Sequence, residues 1–354
     1  MRLNLSCENG EVPRIPLSGR IVKRTDIVHY GELTDLAQGD FTFDNRTTQS
    51  VAIKRLRCVG GRQRYDEELL EQHLKASIIM EHFPKWIQLR HKNLNPVIDF
   101  QISSEPLIIN PWIKNNLSRV IYGSEGNYAL MDLKARLDKW SVIKDICDGF
   151  EYLHTQSPRP IVHGGLGMTT VLIDENNGTI CAKLSNFGLE PILRRISFDT
   201  VLTSMNDPHE YTPAPEVLSG PPPAYEEAIG EAPPGMEDDE DVVAPSGMTP
   251  ASDIYDIGTW MLEVLSEKTP WLKLSRARAV IATMRGERPS PADHPGIPAT
   301  HAAWTLIGRC WAQNAKERPC IREISDTVDV IRSQRFSTTI FSEKAGSWDS
   351  PARL

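Results

Sequence analysis

Apolar residues recur at two distinct periods along this 354-residue chain. From Ile21 to about Arg57 polar and apolar positions alternate, ending in SVAIKRLR, Ser50–Arg57. A period of two sets one face of each strand on a core, which predicts a small β-rich unit. Beyond it the period lengthens. Tyr65–Met80 is helical in composition, with Leu69, Leu70, Leu74, Ile78 and Ile79, and Pro84 is expected to interrupt it. From Leu133 onward, Leu137, Trp140, Ile143, Cys147, Phe150 and Leu153 return every three or four residues, predicting a long amphipathic helix. Ile254–Leu265 is apolar on nearly all sides, as befits a helix at the centre of a lobe. Two stretches lack either period. Gly220–Pro250, with its PPP, APP and acidic run, reads as a loop inserted in the fold, and Phe336–Leu354, rich in Ser and Thr, as a disordered tail.

Composition narrows the class. Forty per cent apolar residues suits a globular fold with a sizeable core. No apolar run approaches the roughly 18 residues of a membrane span, and Met1–Gly19 holds no continuous apolar signal core, so a cytoplasmic protein without membrane association is expected. The cysteines Cys7, Cys58, Cys147, Cys181, Cys310 and Cys320 form no CxxC pair and no His-linked spacing, which points to reduced thiols rather than disulfides or a metal site. The net charge of -8 resides in one place: Glu226, Glu227, Glu231, Glu237, Asp238, Asp239, Glu240 and Asp241 lie between Ser219 and Pro250 with no Lys or Arg. The remainder is formally neutral. No basic stripe suggests nucleic acid, and the acidic run reads as a solvated insertion.

Short motifs follow one another in a recognisable order. VAIK occupies Val51–Lys54, LRHKNL Leu89–Leu94, LIINPW Leu107–Trp112 and HGGLGMTTVLI His163–Ile173. LSNFGL follows at Leu184–Leu189, APE at Ala214–Glu216, SDIYDIGTWMLEVL at Ser252–Leu265 and GRCWAQNAKERP at Gly308–Pro319. In this order and spacing, over about Gly19–Ser333, they resemble the protein kinases, in particular the tyrosine-kinase-like branch with its large fungal expansions. The resemblance implies an α+β, two-lobed protein-kinase-like fold. Its domain would span 20–333, with a small β-rich lobe over 20–112, a larger mainly helical lobe over 113–333 and the insertion at 219–250. Residues 1–19 would be an N-terminal extension and 334–354 the tail.

Measured against that resemblance, the chemical positions are eroded. In the catalytic loop Gly164 and Gly165 stand for the Arg and the Asp that accepts the substrate proton, Gly167 for the Lys, and Thr170 for the Asn that holds magnesium. Asn186 replaces the metal-binding Asp of the DFG motif, exchanging a carboxylate for a neutral carbonyl. If Gly31 is the third glycine of the phosphate loop, Asp26 and Val28 hold the other two places, where phosphate meets either a repelling charge or a stiff side chain. Lys54 remains, but counting back from His91 puts His82 at the place of its glutamate partner, with Glu81 one step away. Ala52, Leu33 and Leu172 match the residues that sandwich an adenine ring, and the backbone of Pro111 and Ile113 could meet its edge.

The packing positions, by the same resemblance, are kept. His163, Phe187, Trp86 and Val97 match the stacked positions joining the lobes, Glu216 and Arg318 the buried ion pair of the large lobe, and Asp253 the acid that holds the catalytic-loop backbone. Two functions therefore compete. One is a pseudokinase, a signalling scaffold or regulator with weak or no ATP binding and no magnesium. The other is a weakly active atypical Ser/Thr or Tyr kinase in which Asn186, Glu81 or an acid of Glu237–Asp241 replaces a lost group. A partner motif stands apart: Pro222, Pro223, Ala224 and Tyr225 form a PPxY pattern, suited to the aromatic grooves of WW domains, so a WW-bearing protein or an active kinase is the expected partner.

Overall fold

A computed structural model of the chain describes residues 17–25, 29–30, 34–56, 82–102, 106–191, 212–219 and 247–345; for 29–30 and 335–345 it describes the backbone alone. The alternation of the N-terminal region becomes a curled antiparallel sheet. Its strands are β1 (Arg20–Lys23), β2 (His29–Tyr30), β3 (Thr34–Thr42), β4 (Thr48–Leu56), β5 (Asp99–Gln101) and β6 (Leu107–Pro111). The order is β1-β3-β4-β6-β5, with β2 beside β3. Along β3 every second residue is buried, so Ala37 and Phe41 join Val51, Ile53 and Ile109 in a small apolar cluster. Register sets the chemistry. Ala52 lies opposite Asn110 and Lys54 opposite Ile108, so that these four side chains face the same side of the sheet.

After β6 the chain enters the large lobe through β7 (Asn115–Asn116), α1 (Leu117–Tyr122) and α2 (Tyr128–Arg136). The single long helix expected from Leu133 is in fact two. Leu137 takes an extended backbone and Asp138 caps α3 (Lys139–His154) by accepting from the Ser141 amide at 3.0 Å. A capping side chain at Asp138 restarts the helix on a new axis while the apolar spacing continues through the break. Pro84 is itself part of a short helical stretch, 82–86, and the Ile87 amide still closes onto the Phe83 carbonyl at 3.0 Å, because proline removes only its own N–H. The Tyr65–Met80 helix lies outside the described residues.

Strands β8 (Val171–Asn176) and β9 (Thr179–Leu184) form a hairpin beside β7. Asn177 and Gly178 turn it with φ of 51° and 78°, the two left-handed residues that match the twist of the strands. Then come α4 (Pro215–Ser219), α5 (Pro250–Ser266), α6 (Arg276–Met284), α7 (Ala302–Cys310) and α8 (Ile321–Ala345). Helix α5 starts at a capping box between Thr249 and Ser252 and is buried along almost its whole length. At Gly258 a Cβ would stand 2.7 Å from the Cys310 Cβ, so glycine is what lets α7 approach. Helix α8 continues through the Ser333 boundary to Ala345, so the backbone of 334–345, read from sequence as tail, is helical. The loop insertion leaves from Ser219 and returns at Gly247; Gly220–Ser246, with Pro222, Pro223, Tyr225 and the acids, lie outside the described residues. No helix among the described residues is long and apolar enough to cross a membrane.

Candidate functional site

The cleft between the lobes is built from β4, the end of β6, the loop His163–Thr170 and the turn Ser185–Leu189. Lys54 projects into it from β4 and is buried, 8% exposed. Its Nζ donates to the Asn186 Oδ1 at 2.6 Å, and burial pushes its pKa down from 10.5 to about 8. Asn186 reaches this position with φ of 64°, a left-handed conformation that asparagine tolerates better than most residues. Gly31, Leu33, Asp26, Val28 and Glu81 lie outside the described residues, whereas His82 is described, its ring 6.2 Å from that of Trp86.

The catalytic-loop positions are held by backbone rather than by reactive side chains. Asp253, fully buried on α5, accepts from the His163 amide (2.9 Å), the Gly164 amide (2.8 Å) and the His154 Nε2 (2.8 Å). His163 is buried too, and desolvation pushes its pKa down to about 4, so its ring is neutral at pH 7. Its two nitrogens have distinct tasks: Nε2–H donates to the Ser185 carbonyl (3.0 Å), and Nδ1 accepts from the Gly165 amide (3.2 Å). The Thr170 hydroxyl accepts from the Gly167 amide at 2.9 Å and lies 3.1 Å from the Gly167 carbonyl. It is thus turned inward onto its own loop.

The three glycines differ in what they would admit. Gly164 has φ of 75°, and a Cβ on it would stand 2.7 Å from Pro191 Cδ and 2.8 Å from Met248 Sδ, so this position is closed to a side chain as the backbone stands. A Cβ at Gly165 would meet only Glu190, Cβ to Cβ 3.6 Å, an ordinary contact. At Gly167 nothing lies within 4 Å. Glu190 therefore brings a carboxyl-bearing side chain alongside Gly165, the position that the resemblance gives to the catalytic Asp. Sequence reading missed it because it precedes its neighbour in no motif; the turn at Asn186–Gly188 folds it back.

Nucleotide-facing positions are partly assembled. Ala52 is 6% exposed on β4, while Ile113 and Leu172 are half-buried at the cleft's edge. The Pro111 carbonyl accepts from Asn95 Nδ2 at 3.3 Å, so one of its lone pairs is used within the protein. Deeper in, Lys54, Trp86, Val97, Ile108, Asn110 and Asn186 line a pocket of about 20 Å³, room for about one water. Among the described residues no cluster of three His, Cys, Asp or Glu could hold a metal ion. Of the two residues that the resemblance sets at magnesium positions, the Asn186 oxygen accepts from the Lys54 amine and the Thr170 hydroxyl is bonded within its own loop.

Packing residues do come together. Trp86 and Phe187 meet edge-on, ring centroids 6.0 Å apart, with Val97 buried in the same cluster, and the His163 ring lies tilted 5.5 Å from that of Phe150. Arg318, its side chain wholly buried, forms a two-pronged pair with Glu216 (2.6 and 2.8 Å) and also donates to the Ala251 and Ala312 carbonyls (2.8 and 3.0 Å). Its guanidinium covers the Tyr255 ring at 5.2 Å.

A curled antiparallel sheet joined by one strand to a helical lobe, with a lysine-bearing cleft at the junction, defines a protein kinase domain. The family profile for protein tyrosine and serine/threonine kinases matches residues 22–222, and the chain belongs to that family. Similar curated proteins include wall-associated receptor kinase-like 10 of Arabidopsis thaliana, 24% identical over 80% of this chain and 33% of the relative. Ephrin type-B receptor 1-A of Xenopus laevis is 24% identical over 90% of this chain and 28% of the relative. Retinal guanylyl cyclase 2 of Homo sapiens is 28% identical over 75% and 20% respectively. The chain spans a third or less of the length of these three relatives.

Proposed function

We propose that the chain is a pseudokinase: a kinase-fold module that signals by binding, as a scaffold or regulator, with phosphoryl transfer impaired. The observation that carries this reading is the Lys54–Asn186 hydrogen bond. In a working site the lysine meets phosphate and the residue at the Asn186 position holds a cation through a carboxylate; here that residue is a neutral amide hydrogen-bonded to the lysine. Gly165 and Thr170 add the loss of a proton acceptor and of a second metal ligand. A general base contributes about 10² to 10⁴ and an electrostatic stabiliser about 10² to 10³. Against kinase turnover of about 1 to 100 per second, their joint loss leaves at most about 10⁻² per second. ATP binding is weak and independent of magnesium on this reading, since Ala52 and Leu172 can still face an adenine while no metal anchor persists.

The placement within the tyrosine-kinase-like branch and its fungal expansion, and a cytoplasmic location, belong to the same proposal, as does a WW-domain partner at Pro222, Pro223 and Tyr225. The test is incorporation of labelled phosphate into the protein itself and into generic Ser, Thr and Tyr substrates with magnesium or manganese. Turnover above about 0.1 per second would refute the reading. A WW-domain pull-down that Tyr225→Ala leaves unchanged would remove the partner motif. One observation favours the second reading, a weakly active atypical kinase: Glu190 lies beside Gly165, where a carboxylate is needed. Transfer that Glu190→Gln abolishes and Gly165→Asp raises would establish it.

A further inference from the structure

Helix α6 and the turn before it carry an unusual surface. Pro270–Gly286 contains Arg276, Arg278, Arg285 and Lys273, the last paired with Asp293, and no acid. Its buried side, Ala279, Ala282 and Thr283, faces the lobe. On the outside Ile281 is 49% exposed, Met284 43% and Leu272 43%, three of the seven exposed large apolar residues among those described. Arg278, Ile281 and Arg285 are three and four residues apart and so share one stripe of the helix, with Met284 adjoining; both arginines are exposed. An apolar stripe flanked by cations calls for an apolar, acidic occupant.

The chain itself holds one. Ser219, at the end of α4, places its Oγ 3.6 Å from the Met284 Sδ, and from that residue departs the segment Gly220–Ser246. This segment carries Glu226, Glu227, Glu231 and the run Glu237–Asp241 without a single cation. We infer that the acidic insertion docks on the outer face of α6, its carboxylates against Arg278 and Arg285 and its apolar residues over Ile281 and Met284. Reach is sufficient. Glu226 is seven positions beyond Ser219, an extended span of about 23 Å, whereas the nine-residue helix is about 14 Å long. Tethering next to the surface also gives the segment an effective concentration of order millimolar, which lets modest charge pairing suffice.

Methionine oxidation reads this contact directly, because a covered thioether reacts slowly with peroxide. The full chain is compared with a variant bearing E237Q, D238N, D239N, E240Q and D241N, and with R278E/R285E, each checked for an unchanged thermal melt. Oxidation of Met284, followed by mass spectrometry, should be slow in the parent at low salt and several-fold faster in either variant or at 0.5 M salt. Combining the two sets should add nothing further, since both remove one contact. Equal rates in all proteins would overturn the inference. Slow oxidation that persists in the neutralised variant but rises on dilution would overturn it in favour of a second copy of the chain on this face.

Discussion

Lys54→Met is the perturbation that most directly questions the site. The lysine is buried, and its pKa falls from 10.5 to about 8 on folding. At 1.36 kcal/mol per pH unit that gap costs the folded state about 3 kcal/mol wherever both folded and unfolded chains are protonated, which is below about pH 8. The unfolded chain holds the proton more tightly, so stability rises with pH between about 8 and 10.5, and the cost is relieved above that window. Methionine removes the cost but strands the Asn186 oxygen, a loss of about 1 to 3 kcal/mol. The variant is therefore expected to equal or exceed the parent in stability at pH 7 by about 0 to 2 kcal/mol, and to be less stable by about 1 to 3 kcal/mol at pH 10.5. Urea unfolding followed by tryptophan fluorescence measures the difference at each pH, and titrations elsewhere in the protein cancel. A destabilisation at pH 7 of the same size as at pH 10.5 would refute the argument, because it would mean that Lys54 is a charged, well-paired cation.

The buried His163, with its pKa pushed down to about 4, works in the opposite window: its neutral ring is favoured by the fold, so stability should fall by up to about 3 kcal/mol as pH drops from about 6.5 to 4. A His163→Phe variant should lose that slope in the same urea titrations. Glu216→Ala leaves the buried Arg318 guanidinium without its carboxylate and should cost about 3 to 5 kcal/mol in denaturant melts, whereas Arg318→Ala, whose partner is part-exposed, should cost less; a Glu216→Ala loss below about 1 kcal/mol would contradict the burial of Arg318. Gly164→Arg should prevent folding or cost several kcal/mol through its left-handed backbone and the contacts with Pro191 and Met248. Gly165→Asp and Gly167→Lys, which meet open space or ordinary contacts, should leave the melting temperature within a few degrees of the parent.

Local patterns were legible in the chain alone. The period-two run through VAIK specified a strand with Lys54 and Ala52 on one face, because pleating alternates side chains regardless of what lies above them. The apolar spacing of Ile254–Leu265 likewise specified a buried helix, and the order of the motifs the kinase architecture. Where a single side chain competes with the pattern, the reading failed: Asp138 divides what periodicity joined. Tertiary structure decided the rest. That Lys54 meets Asn186, that Pro191 and Met248 fill the space above Gly164, and that Glu190 lies beside Gly165 depend on how separate segments are brought into one cleft. Such contacts are set by the packing of the lobes and the backbone turn at Asn186–Gly188, since residue type and spacing fix which face a side chain takes but not what stands opposite it.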